Sequence, residues 1–368
     1  MTSHSVDPRW NLTAEVIAEN LAIAHGEVVS VFLTDYQSYA LAEAFCAEVY
    51  RRGARPHVLL TDERLDRIAL TFADLNSLST PSRLEVESMR ASDVHVSFRG
   101  MVPPAETQST EPTDAAQRLA AQRRAKGIVS DLRWKHTRWA LVRVPTDAWA
   151  RFVGLEPTEL YESFFAGCLL DWSSLSAQWG ELADRLNGTQ TVRILSADTD
   201  LRLDVTGRRA AVFAGQANWP DGEVATAPLE DQVDGHISFP GRFYFAGAAI
   251  EDLRLEFSAG RVSSVTASTG AELARELIRT DSGSDRVGEL GIGLNGAMTV
   301  WTRDLLMDEK ILGTVHIALG RAYPECGGIN ESSLHWDIVK DLRAGAPSGG
   351  GSLYFDDREV MRDGVALW

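Results

Sequence analysis

Four short segments in the second half of the chain set carboxylates and imidazoles beside glycine turns. They read "NWPDGEVATAP" (218–228), "GELGIGLN" (288–295), "MDEKILGTVHIALGRAY" (307–323) and "SLHWDIVKDL" (333–342). Between them they offer Glu223, Glu289, Glu309, His316, His335 and Asp337. Hard and borderline ligands of this kind suit divalent cations, and four carboxylates with two neutral imidazoles balance the charge of two such ions. Gathered in one pocket without metal, the same carboxylates would repel one another and take up protons.

Geometry adds a condition at the last segment. Side chains two apart point the same way in an extended chain but lie about 200° apart around a helix. His335 and Asp337, on either side of Trp336, can therefore share an ion only if this stretch is extended. Taken singly, each residue also has an ordinary reading. Glu223 could cap a turn, Glu289 could be solvated surface, His316 in "TVHIALG" could be a satisfied core histidine, and "HWD" could be an exposed bend.

Taken together and in this order, the four segments resemble the aminopeptidase T and aminopeptidase S family of dinuclear metallo-aminopeptidases, also called thermophilic metalloproteases. The likeness extends more loosely through "SADTDLRLDVTGR" and "RWALVRVPT" and covers most of residues 130 to 345. It implies that Glu223, Glu289, His316, His335 and Asp337 are metal ligands, with Glu309 as a sixth. Tyr323, seven residues after His316, matches the family's active-site tyrosine. The interval from Tyr323 to His335 is compressed relative to the family, and that interval can shape the substrate pocket.

The resemblance implies a metal-dependent aminopeptidase that removes N-terminal residues, of leucyl type, from short peptides. It implies two divalent ions per chain (zinc, cobalt, manganese or magnesium) and a homodimer. If two ions sit between these ligands, Glu289 would bridge them and a shared water would ionise near neutral pH to attack the peptide carbonyl. Glu223 would carry the proton to the leaving amine or serve only as a ligand, and Tyr323 would donate to the tetrahedral oxyanion.

Three rivals stand beside this reading. His316, His335 and Asp337 alone form a 2-His-1-carboxylate set of the kind used by mononuclear non-haem iron oxygenases, and the ring-cleaving dihydroxypyridine dioxygenases look like distant relatives of this fold. Glu223 and Glu289 have no place in a one-metal oxygenase. A small-amide hydrolase could use the same ions, and a non-catalytic binding protein would be expected to lack ligands. The G-x-G-x-x-G at Gly291, Gly293 and Gly296 is followed by "AMTVWTRD", which reads as β-like and not as the helix that a dinucleotide needs.

The elements that must position these residues change character along the chain. From residue 11 a helical stretch, the apolar strand "EVVSVFLTD", the helix "YQSYALAEAFCAEVYRRG" and the strand "PHVLLT" alternate, the mark of α/β units around a mainly parallel sheet. A strand at 93–100, a basic helix "DAAQRLAAQRRAKGIVSDL", a strand at 138–146 and one long helical region at 157–188 continue it. From "TQTVRILSADTDLRLDVTGR" onward, short alternating strands with glycine turns take over. The expected organisation is thus an α/β N-terminal domain over 1–188 and an α+β, β-rich metal-binding catalytic domain over 189–368. "APSGGGS" (346–352) reads as a flexible surface loop.

Bulk properties exclude several partners. With 36 basic against 52 acidic residues and a formal charge of -16, nucleic acid and anionic membrane are not expected. Cys46, Cys168 and Cys326 are scattered and form no C-x-x-C pair, which suits free thiols in a reducing compartment. No basic start with an apolar h-region opens the sequence and no apolar run approaches the length of a membrane span. The expected location is the cytoplasm.

Overall fold

Apolar runs alternating with helical stretches close into a parallel sheet in the first half. The computed structural model describes residues 7–104, 112–245 and 247–368. Strands β1 (Val28–Leu33), β2 (Arg55–Leu60), β3 (Val94–Gly100) and β4 (Arg138–Val144) lie parallel in the order β2-β1-β3-β4. β1 and β3 are buried along almost their whole length, as expected of strands covered on both faces. β2 forms the sheet edge and leaves Val58 and Leu60 exposed.

Between β2 and β3 the chain forms three helices that the sequence pattern left unassigned: Glu63–Phe72, Leu75–Ser79 and Arg83–Arg90. Each starts at a capping residue, Asp62, Asp74 or Ser82, whose side chain accepts a backbone N–H of the first turn. The long helical region expected at 157–188 consists of two helices, Pro157–Cys168 and Trp172–Asn187. Leu169 leaves helical geometry at φ -99, ψ 55 and ends the first.

Short strands follow: β5 (Thr191–Ser196), β6 (Thr199–Asp204), β7 (Ala211–Phe213), β8 (Asn218–Trp219), β9 (Glu223–Thr226), β10 (Val233–Phe245), β11 (Ala248–Ser258) and β12 (Arg261–Thr266). After them come β13 (Val287–Gly293), β14 (Thr314–Gly320), β15 (His335–Asp341), β16 (Gly351–Phe355), β17 (Arg358–Arg362) and β18 (Val365–Ala366). β8 adds parallel to β4. The others form two antiparallel sheets, one of eight strands in the order β12-β11-β10-β6-β5-β16-β17-β18 and one of five in the order β15-β14-β13-β9-β7. The architecture is therefore a parallel α/β part and a β-rich remainder.

The chain divides into two units. One comprises Met1–Ala105, Ala125–Asp171 and Gly215–Asp221, the other Glu106–Arg124, Trp172–Ala214 and Gly222–Trp368. Within the second, a buried ammonium fastens the two antiparallel sheets together. Lys340 of β15 donates to Asp198 Oδ1 at 2.6 Å, to the Ser238 carbonyl at 2.9 Å and to Ser348 Oγ at 2.6 Å. Ser348 lies in the segment expected to be a flexible loop, and Gly351 already belongs to β16, so this segment is tied down at both ends. The "AMTVWTRD" stretch is irregular and forms no strand.

Candidate metal centre

The five-stranded sheet of the second unit gathers the chemistry on one face. Its register sets Glu289 opposite Ala318 and Ala318 opposite Asp337, Gly320 opposite His335, Gly291 opposite His316, and Gly293 opposite Glu223. Residues directly opposite across antiparallel strands, and residues two apart along one strand, share a face. Glu223, Glu289, His316, His335 and Asp337 therefore project from the same side of β9, β13, β14 and β15.

The condition set by the sequence is met at β15. His335 and Asp337 lie in a regular strand, and His335 Nε2 is 3.3 Å from Asp337 Oδ1. Glu309 reaches the cage from the end of the short helix Leu305–Asp308. That helix is started by Asp304, whose side chain accepts the Met307 N–H. Two glycines make the room. A Cβ on Gly291 would lie 2.1 Å from His316 Cε1, and one on Gly293 would lie 2.6 Å from the Glu309 carbonyl oxygen.

All six sequence-predicted ligands come together in three overlapping sets: Glu223, Glu289 and His316; Glu289, His335 and Asp337; Glu309, His316 and Asp337. In each set the ligand atoms lie within 4.8 Å of one another. Glu289 faces both imidazoles, with Oε1 3.5 Å from His316 Nε2 and Oε2 3.2 Å from His335 Nε2. Bonds of about 2.1 Å to one ion place neighbouring tetrahedral or octahedral ligands roughly 3.0–3.4 Å apart, so these separations suit edges of a coordination shell. Glu289 Oε2, Glu309 Oε2 and His316 Nδ1 are buried and make no hydrogen bond. Buried polar atoms are ordinarily paired, and the carboxylate oxygens here point to cations. The donor set fits divalent ions.

One hydrogen bond fixes a tautomer. His335 Nδ1 lies 2.9 Å from the Arg321 carbonyl oxygen, which can only accept, so Nδ1 carries the proton and neutral His335 presents a bare Nε2 to the cage. Tyr323 packs edge-on to this ring at 5.6 Å and is tilted against Phe213 at 5.5 Å.

Electrostatics show what the cage demands. Burial opposes the charged form of His316, but Glu289, Glu309 and Glu223 outweigh it and lift its pKa to about 9. The same contest at His335, with Asp337 and Glu289 prevailing over burial, lifts it to about 10. Burial pushes the Glu309 carboxyl above the usual carboxylate range despite the neighbouring Lys310. Asp337 and Glu289 are held below it, because the imidazoles outweigh the burial that would raise them. Burial, reinforced by Glu289 and the other carboxylates, raises the Tyr323 phenol well above its ordinary value, so it remains a donor.

Sequence reasoning missed Lys310. Its ammonium is buried, 2.7 Å from Glu223 Oε1 and 2.9 Å from Glu309 Oε1. The signal was present in "DEKILG", but a ligand count passes over lysine because an ammonium cannot hold a metal.

The likeness to known proteins is consistent across the chain. The family model of the Thermophilic metalloprotease (M29) matches residues 9–365. Aminopeptidase 2 of Geobacillus stearothermophilus is 29% identical over 273 residues, covering 63% of this chain and 64% of that protein, so the match spans less than two thirds of the relative's length. The solved structure of wild-type AmpT from Thermus thermophilus superposes with a TM-score of 0.74 at 22% identity, covering 98% of this chain and 99% of the other. A 2,5-dihydroxypyridine dioxygenase from Pseudomonas putida shares the fold more distantly, with a TM-score of 0.58 at 15% identity over 97% of this chain and 96% of its own. On the match from residue 9 to residue 365, the chain belongs to the thermophilic metalloprotease family M29.

Proposed function

We propose that the protein is a metal-dependent aminopeptidase that cleaves the N-terminal residue, of leucyl type, from short peptides. The observation that carries this reading is Glu289, whose two oxygens face two different imidazoles, the arrangement a carboxylate needs to bridge two ions. Membership of a metalloprotease family and relatives named aminopeptidases support the same activity.

Two divalent ions, zinc, cobalt, manganese or magnesium, would be held by Glu223, Glu289 and His316 and by Glu289, His335 and Asp337, with Glu309 beside them. Bound there, they would supply a water ionised near neutral pH and an electrophilic anchor for the substrate's free amine and scissile carbonyl. The chain's own residues do the rest. Tyr323 donates a hydrogen bond to the oxyanion. Glu223 carries the proton toward the leaving amine, and Glu309 is the neighbouring carboxyl that could take that role in its place. The net charge of -16 favours short peptides over extended acidic chains. A homodimer working in the cytoplasm completes the reading.

The test is a panel of aminoacyl p-nitroanilides and dipeptides, assayed after metal stripping and reloading with each of the four ions. Metal-dependent release of N-terminal residues is the expected outcome, and full activity after exhaustive chelation would overturn it. The ring-cleaving dioxygenase reading draws on the shared fold. Among the described residues, however, no candidate ligand set contains both histidines, as a 2-His-1-carboxylate iron site requires. Oxygen uptake on a hydroxylated pyridine by the iron-loaded protein, without amide hydrolysis, would favour it. A small-amide hydrolase would cleave simple amides in the same panel and leave peptides intact.

A further inference from the structure

Lys310 is a fully buried ammonium inside a cage of acids, and it stands where a cation is most costly to place unpaired. Its position is set by backbone, not by metal. Asn295 donates its N–H to the Lys310 carbonyl at 2.8 Å, Leu312 donates to the Asn295 carbonyl at 3.1 Å, and Leu294 donates to the Gly222 carbonyl at 2.9 Å. The chain just after β13 thus stitches the segment bearing Lys310 to the residue before Glu223. The side chain then donates to one oxygen each of Glu223 and Glu309. The set made by Glu289, His335 and Asp337 contains neither of these glutamates.

Resting on the metal-centre reading above, we propose that Lys310 is a positioning residue, a built-in cation that holds Glu223 and Glu309 by their Oε1 oxygens. It leaves Oε2 of each to meet an ion or to carry the proton, and keeps the acidic cage assembled when no metal is bound. Two consequences separate this from an ordinary buried lysine. Lys310 and the metals share the work of neutralising the same carboxylates, so removing the ammonium must harm the metal-free protein more than the loaded one. With one oxygen of each glutamate no longer taken, the carboxylates are also free to bind an ion through both oxygens, which alters its coordination.

The experiment compares wild type with Lys310→Met, nearly isosteric and uncharged, each stripped and cobalt-loaded, by thermal unfolding and visible absorption. We expect the cobalt-induced rise in melting temperature to grow by a factor of about 2 in the variant, since bound cation is linked to folding. We also expect the intensities of the cobalt bands to change. An equal loss of stability in both states with an unchanged cobalt spectrum would overturn the proposal. Should stripped Lys310→Met fail to fold, the double variant Lys310→Met/Glu309→Gln decides. Its removal of one carboxylate with the ammonium restores metal-free folding if charge balance is the cause, and continued failure to fold counts against it. A wild type showing no cobalt-induced shift would instead count against the metal centre itself, so the two failures are distinguishable.

Discussion

At the scale of single residues, the account rests on Glu289, which is common to two of the three ligand sets and faces both imidazoles. Glu289→Ala should lower metal content below one ion per chain and hydrolysis by more than about 100-fold, a larger loss than orienting partners usually cause. Metal analysis beside the rate checks both. The imidazoles give a pH dependence whose sign is fixed. With pKa values lifted to about 9 and about 10, His316 and His335 hold protons at neutral pH that an incoming ion must displace. Apparent metal affinity should therefore rise with pH, by up to about tenfold per unit for each proton released. A cobalt titration of stripped protein across about pH 6 to 8 that shows no such rise and no acid release would contradict this. For the metal-free protein the same raised values contribute stability present below the unfolded pKa near 6.5 and lost as pH rises through 9 to 10. That the six acids and imidazoles gather was legible in the sequence because their four segments, in this order, resemble one family's motifs, though each residue alone had an ordinary reading. Lys310 was not, because its role exists only where the ends of β9 and β13 meet.

At the scale of elements, the five-stranded sheet acts as a template whose register puts five candidate ligands on one face. Gly291 is the test of that template. Gly291→Ala forces a methyl group to within 2.1 Å of the His316 ring, and overpacking of this kind costs about 1–3 kcal/mol. The variant should remain folded by circular dichroism and lose metal, whereas wild-type metal affinity would show that His316 is not held as described. Lys340 tests the other face of β15. Asp198→Ala leaves its buried ammonium without a carboxylate and should destabilise the protein by about 2–4 kcal/mol, the cost of breaking a largely buried pair, read by denaturant unfolding. The strand at "HWDIVKD" could only be stated as a condition from sequence, since His-x-Asp spacing fits a bend as well as a strand. The 346–352 segment read as a flexible loop because its glycines and single proline say nothing of the lysine that anchors Ser348.

At the scale of the whole molecule, composition and the alternation of apolar runs were enough to give a parallel α/β part and a β-rich remainder. They could not reveal how the chain distributes between its two units, because that depends on contacts far apart in sequence. The proposed homodimer has a candidate surface. The helix Glu63–Phe72 buries none of its residues, and Leu65, Ile68 and Phe72 are 64%, 53% and 83% exposed beside the open edge strand β2. Apolar faces of this kind mark interaction sites. Sedimentation should give about twice the chain mass of 40.3 kDa, and Phe72→Glu should shift the protein toward monomer. A wild-type monomer would remove the dimer from the account. The central claim is that a dinuclear centre drives peptide hydrolysis, and the most direct measurement is the rate of leucyl p-nitroanilide cleavage as cobalt is added stepwise to stripped protein. The account predicts negligible activity at the start and a plateau near about two ions per chain. Full activity before any metal is added would contradict it.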